Sequence, residues 1–163
     1  MAVTTQNSAE YTNRIATPLV TANAVNDKGK LRSLTFTHNQ DGTGDAGSIV
    51  VLGKLPAGTV KIIGGSSRFY CNWTDGSNTM DIGWVAYNDA DGAEVAVDVD
   101  GIVDGLDVDT AGYFSMESNT AAGKLLGGNT TFSSKEGVII TAKSIGALAD
   151  GDDLSGTITY IVD

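Results

Sequence analysis

From residue 31 onward, apolar and polar residues alternate in short runs separated by turn residues, the period-two pattern of half-buried strands. LRSLTFT (31–37) interleaves Leu and Phe with polar residues. SIVVLGKL (48–55) and TVKII (59–63) flank PAG, where Pro56 suits position i+1 and Gly58 position i+3 of a type I turn, so the pair predicts a hairpin. SRFYCNW (67–73) places Phe69, Cys71 and Trp73 on one face, and TMDIGWVAY (79–87) answers with Met80, Ile82 and Trp84. The Asp-Gly of the intervening TDGSN predicts a second hairpin. AEVAVDV (93–99), GYFSM (112–116), GVIITAK (137–143) and GTITYIVD (156–163) complete nine predicted strands, the last expected inside a sheet.

Short strands with turn signals roughly every eight to twelve residues predict an all-β protein, a β-sandwich or jelly roll. One helical turn is predicted at DGIVDGL (100–106), where Ile102, Val103 and Leu106 have helical spacing. No long amphipathic helix and no internal repeat is visible. Residues 1–30, rich in Thr, Asn and Ala, sustain neither period and read as an extended N-terminal arm and loop ahead of a β-sandwich domain spanning 31–163.

Size and composition agree. A chain of 163 residues is one domain, and it buries roughly two thirds of its unfolded surface without needing disulfides or a structural metal. The 21 glycines against two prolines suit many tight turns. Cys71 is the single cysteine, which excludes an intrachain disulfide; in an alternating apolar run it reads as a small core residue. The N-terminus has no basic stretch followed by an apolar block, so no signal peptide is expected, and no run approaches the ~18 apolar residues of a membrane span. The sequons at Asn72 and Asn129 then read as chance.

Charge narrows the partners. Residues 1–72 carry seven Lys/Arg and four Asp/Glu (+3), while residues 73–163 carry three and sixteen (−13), for a net −10. Phosphate backbones repel such a protein, which argues against direct binding of nucleic acid. The asymmetry suits contacts between copies or docking on a differently charged partner.

Eight carboxylates lie between Asp89 and Asp109 with no Lys or Arg among them. A calcium loop of the EF type fails in both registers: with Asp89, Asp91 and Gly92 at positions 3, 5 and 6, Tyr87 takes position 1, and with Asp98, Asp100 and Gly101 there, Ala96 takes it. A calcium site formed by loops outside the EF pattern is the alternative; the better reading is a solvent-facing acidic rim with Val95, Val97 and Val99 pointing inward. GTGDAG (42–47) matches G-x-G-x-x-G, but a β-branched strand follows it where a dinucleotide site needs a helix, and Asp45 sets negative charge in the cradle. A hairpin loop accounts for it better. His38, the single histidine, reads as a neutral, partly exposed residue at a strand end. Nothing singles out a pair of carboxylates for glycoside hydrolysis. Among the aromatics Tyr70, Tyr87 and Tyr113 with Phe69, Trp73 and Trp84, the last three share faces with Cys71, Met80 and Ile82, the pattern of a core; Tyr70 and Tyr87 lie on the opposite faces. No catalytic, cofactor-binding or metal-binding residue is assigned, and no cofactor is implied.

QDGTGDAGSIVVLGKLPAGTVKIIGGSSRF, the later TMDIGWVAYNDADGAEVAVDVDGIVDGLDVDTAGYF and the terminal GTITYIVD together resemble a family of small structural proteins of tailed bacteriophages. The LPAG.V turn, the DIG..AY.D.DG run, the DGLDV..AG segment and the closing Y.VD carry the resemblance, over most of the chain from about residue 31. It implies a virion component on the phage head without catalytic residues: a capsid decoration or cement protein whose partners are the major capsid protein and copies of itself. The rival expectations are a tail, neck or fibre-associated module that contacts host glycan or a fibre base, and a hydrolase.

Overall fold

The computed structural model describes residues 3–17, 31–73, 77–117, 119–120, 123 and 128–162. Two sheets face each other across one apolar core. The first holds β1 (Thr5–Asn7), β3 (Ile49–Lys54), β12 (Ile139–Ser144), β6 (Thr79–Trp84) and β9 (Asp98–Asp107), in that spatial order. The second is centred on β13 (Asp153–Val162), which pairs along one side with β2 (Leu31–Asn39). Along its other side β4 (Gly58–Ile63) and β5 (Arg68–Cys71) lie end to end, flanked in turn by β11 (Asn129–Ser134) and β10 (Gly112–Ser115). A separate hairpin joins β7 (Tyr87–Asn88) to β8 (Glu94–Val95). The expected all-β sandwich is therefore present.

A 3-10 turn at Gly64–Ser66 separates β4 from β5 and leaves a gap in the ladder beside β13. Ser67 fills it: its Oγ accepts from Thr159 N (2.9 Å) and donates to Ile63 O (2.9 Å). Gly64 is required there, since a Cβ would lie 2.2 Å from Gly128 O and 2.4 Å from Met116 O.

The core contains the side chains that alternation selected. Phe69 and Cys71 from the second sheet, Trp73 just beyond the end of β5, and Met80 and Ile82 from the first sheet are all buried, joined by Leu34, Phe36, Ile140, Ile158 and others. Trp84 is half-buried and packs against this cluster.

Both predicted hairpins are corrected. β3 and β4 belong to different sheets, as do β5 and β6, so PAG and the 72–78 connection carry the chain across the sandwich. A turn specifies a reversal of direction; whether the two strands then bond edge to edge or face each other across the core depends on distant partners. Leu55 shows which partner wins after β3: it exchanges backbone bonds with Val138 (2.8 and 3.3 Å), holding β3 beside the approach to β12 before the chain leaves for the other sheet.

DGIVDGL is strand, not helix. It lies within β9, whose register against β6 shifts twice. These irregularities bury Ile102 and Val103 together, producing the spacing that resembles a helical turn. β1 and β11 are further strands that the pattern does not mark, and the predicted strand 79–87 is divided, ending as β6 at Trp84 and resuming as β7 at Tyr87; β11 (NTTFSS) holds one large apolar residue, Phe132.

The described part of residues 1–30 is not extended throughout. β1 pairs in parallel with β3, and α1 (Ala9–Ile15) touches β2 and β3. Ser8, fully buried, secures both: its N donates to Val51 O (2.8 Å), its Oγ donates to Leu52 O (2.8 Å), and the same Oγ caps the helix by accepting from Tyr11 N (3.2 Å). Residues 18–30, expected as arm and loop, lie outside the described residues.

Candidate interaction surfaces

The acidic stretch occupies one hairpin and one sheet edge. In the β7–β8 hairpin, Asp89 Oδ1 accepts from Asp91 N (2.9 Å) and Ala93 N (2.8 Å), so this carboxylate holds the turn. Asp98 and Asp107 begin and end β9 and each accepts from the backbone N–H two residues on. Desolvation, then the neighbouring Asp100, raises the Asp98 carboxyl above its usual value; Asp107 does the same to Asp109. No group of three or more His, Cys, Asp or Glu side chains placed to hold a metal occurs among the described residues. As the edge strand of the first sheet, β9 carries charges of the kind that discourage a further strand from pairing.

The expected inward run of valines is corrected. Val95 and Val99 are half-buried, but Val97 is 57% exposed. β8 ends at Val95 and β9 begins at Asp98, so Val97 falls between strands and the alternation is broken.

His38 differs from expectation as well. It sits one residue before the end of β2, 7% exposed, with Nε2 3.3 Å from Gln40 Oε1. Burial lowers its pKa, while Gln40 and Asp153 oppose the shift. The inward side of β2 explains the burial, since His38 follows Leu34 and Phe36 at alternate positions.

GTGDAG is a loop followed by a strand, but it is not the expected hairpin loop, because β2 and β3 belong to different sheets. Gly42 N donates to Asp150 Oδ1 (2.8 Å), Gly44 and Leu148 exchange backbone bonds of 2.9 Å, and Gly47 N donates to Ser144 O (2.8 Å). Its donors serve the 144–152 segment, which leaves no phosphate cradle.

The tyrosines separate. Tyr87 is half-buried and meets Phe132 edge-on (6.0 Å between centroids), as does Trp84 (5.2 Å). Tyr70 instead faces outward from the second sheet and packs against Tyr113 (5.3 Å, 58° between planes), which is 82% exposed. Strand register sets both in a row. Tyr113 lies opposite Tyr70, Tyr70 opposite Ser155, and Ser155 opposite Thr37. The adjacent row runs Ser115, Arg68, Thr157, Thr35. A shallow cavity of about 490 Å³ lies over these rows, and a second of about 450 Å³ continues past Tyr70 towards Asn39 and Asp153.

This outer face differs from the rest of the molecule. Along the outward positions of β2, β4, β5, β10, β11 and β13 most residues carry hydroxyls, and the charged ones are Lys61, Arg68 and Asp153, net +1 in a chain of net −10. Asp153 Oδ1 is occupied by Asn39 Nδ2 (2.8 Å). The alternation that fills the core sets these residues outward, but only the pairing of distant strands gathers them, so the face is not visible as a sequence motif.

No protein-family model matches the chain, and no curated protein matches it. Solved structures do. A chain of the capsid of Ralstonia phage GP4 superposes with a TM-score of 0.65 at 14% identity, covering 100% of this chain and 99% of that one. A chain of the cyanophage Pam1 capsid asymmetric unit superposes with a TM-score of 0.51 at 13% identity, covering 88% and 92%. The β-sandwich described above is thus a fold that this chain shares, nearly end to end, with chains of two phage capsids.

Proposed function

We propose that this protein is a structural component of a tailed-phage virion, and specifically a decoration (cement) protein that binds and stabilises the major capsid shell. The observation that carries the reading is the fold correspondence with a GP4 capsid chain over 100% of this chain and 99% of that one, which makes the two nearly equal in length. A small sandwich matched in full, not as part of a larger subunit, suits an accessory bound to a shell.

The work of such a protein is geometric. Each copy bridges neighbouring shell subunits, and modest contacts suffice because engaging one subunit raises the effective concentration for the next. Its partners are the major capsid protein and other copies of itself, its place is the head surface, and it acts without catalysis or cofactor. Residues 1–30 and 31–163 form the proposed functional division, the first adding contacts to the second. Because β1 and Ser8 also brace the sandwich, deleting residues 1–28 is expected to lower stability as well as incorporation.

A second reading, a tail, neck or fibre-associated module contacting host glycan, is favoured by one observation: Tyr113 stands 82% exposed beside a groove. Copy number per purified particle separates the two. Hundreds of copies support the decoration role, a dozen or fewer support the second reading, and absence from purified particles overturns both.

A further inference from the structure

Resting on the decoration reading, we propose that the outer face of the second sheet, centred on Tyr70, Tyr113 and Arg68, is the surface that docks on the capsid shell, against a patch of shell protein bearing carboxylates.

Three observations carry this. The first is composition. Protein interfaces are enriched in Tyr and Arg and depleted in Lys, Glu, Asp and Ser, so the signal on this face is its tyrosines, its arginine and its scarcity of carboxylates, not its hydroxyls. This face presents two tyrosines and Arg68 among hydroxyl side chains, with one carboxylate, Asp153, already bonded to Asn39. A tyrosine 82% exposed on such a face is poorly served by water and well placed to fill a pocket on a partner.

The second is area. β13 has ten residues, about 34 Å at ~3.4 Å per residue, and four columns of strands span about 19 Å. The resulting flat area of about 600 Å² approaches the ~800 Å² that each partner contributes to a stable interface.

The third is charge. Arg68 and Lys61 make this face positive, whereas the negative charge of the 89–109 stretch lies on β9, the edge strand of the first sheet, and on the β7–β8 hairpin, which bridges to Ser134 at the far end of β11. An approaching surface rich in carboxylates is therefore repelled by the acidic side and attracted by this one, which orients the encounter. The acidic side of a second copy offers similar chemistry, so the test includes self-association.

Capsid shells from particles lacking this protein are incubated with the purified full-length chain, and co-sedimentation gives the dissociation constant. Tyr113→Ala is expected to weaken binding about 30-fold or more, as for an aromatic anchor. Arg68→Glu should weaken it comparably and reduce its salt dependence. Thr35→Glu, a bulkier and negatively charged change at an exposed position of β2, should also abolish tight binding, while Asp104→Asn on the opposite sheet should leave it within about threefold. Circular dichroism and melting temperature confirm that each variant is folded. Failure of the wild-type chain to bind shells overturns the decoration reading and this inference with it. Tight binding by wild type and by all three face variants overturns the inference alone. Self-association of the free chain that Arg68→Glu abolishes, with shell binding intact, also overturns it and assigns the face to contacts between copies.

Discussion

Replacing Asn78, the residue that leads into β6, should destabilise this sandwich strongly. The side chain is fully buried and spans the end of β6 and the turn after β12. Nδ2 donates to Ser144 Oγ (3.2 Å) and Ala147 O (3.3 Å), while Oδ1 accepts from Gly146 N (2.6 Å); the single Ser144 hydroxyl proton goes to Gly146 O. Asn78→Ala removes all three of its bonds. Ser144 keeps a bond to Gly146 O, but Gly146 N and Ala147 O each lose the partner that Asn78 supplied. Both lie in half-buried residues, so each loss costs about 1 kcal/mol, the low end for an unpaired group, and with the volume vacated by a fully buried side chain the total comes to about 2–4 kcal/mol. For a chain of this size that corresponds to a drop in melting temperature of about 10 °C.

Asn78→Asp sharpens the test. It keeps the acceptor for Gly146 N but turns an oxygen towards Ala147 O. A carboxyl buried there is raised above its unfolded value of about 3.9, so the unfolded chain releases its proton first and the penalty grows as pH rises through that value. The protonated acid can donate to Ala147 O, and the gap to wild type should be smaller at pH 4 than at pH 7. Urea unfolding followed by Trp73 and Trp84 fluorescence measures both gaps. An Asn78→Ala variant within about 1 kcal/mol of wild type, or an Asp variant whose gap ignores pH, refutes the reasoning.

Other consequences follow from packing and burial. Gly83→Ala should cost about 3 kcal/mol, because its Cβ would lie 2.0 Å from Asp98 O and push β9 off β6; Gly42→Ala, at φ +70° with open space around it, should cost about 1 kcal/mol, and equal losses would contradict the steric account. His38, its pKa lowered by burial, contributes stability that is whole above about pH 6.5 and declines as pH falls, since the unfolded chain then binds the proton more readily. Denaturation at pH 7.5 and pH 5 should show a steeper decline for wild type than for His38→Gln, and parallel declines would disprove the assignment. Burial pushes the Cys71 thiol up to about 12, so a thiol reagent at pH 7.5 should label the native chain far more slowly than the unfolded one. Native labelling at the unfolded rate would show that the site opens readily.

What the sequence determined by itself is whatever depends on near neighbours. Alternation in RFYCNW and TMDI placed Phe69, Cys71, Trp73, Met80 and Ile82 in the core, because side chains on a strand change face at every residue. A β-branched run after GTGDAG ruled out the helix that a nucleotide site needs, and the terminal TITYIV was legible as a strand within a sheet. Tertiary structure decided everything that rests on which strand meets which. PAG and the 72–78 connection have the chemistry of hairpin turns, yet the strands they join sit in opposite sheets, because β3 finds β12 and β1 while β4 finds β13 and β11. NTTFSS, with Phe132 as its one large apolar residue, has too little pattern to reveal a strand and becomes one by pairing with β4. Ile102 and Val103 look helical in spacing because shifts of register against β6 turn both inward. The outer face of the second sheet draws Thr37, Arg68, Tyr113 and Ser155 from four strands, residues that no local pattern links. Short-range chemistry sets period and turning; pairing energies between distant segments choose the sheet, and with it the surface that a partner meets.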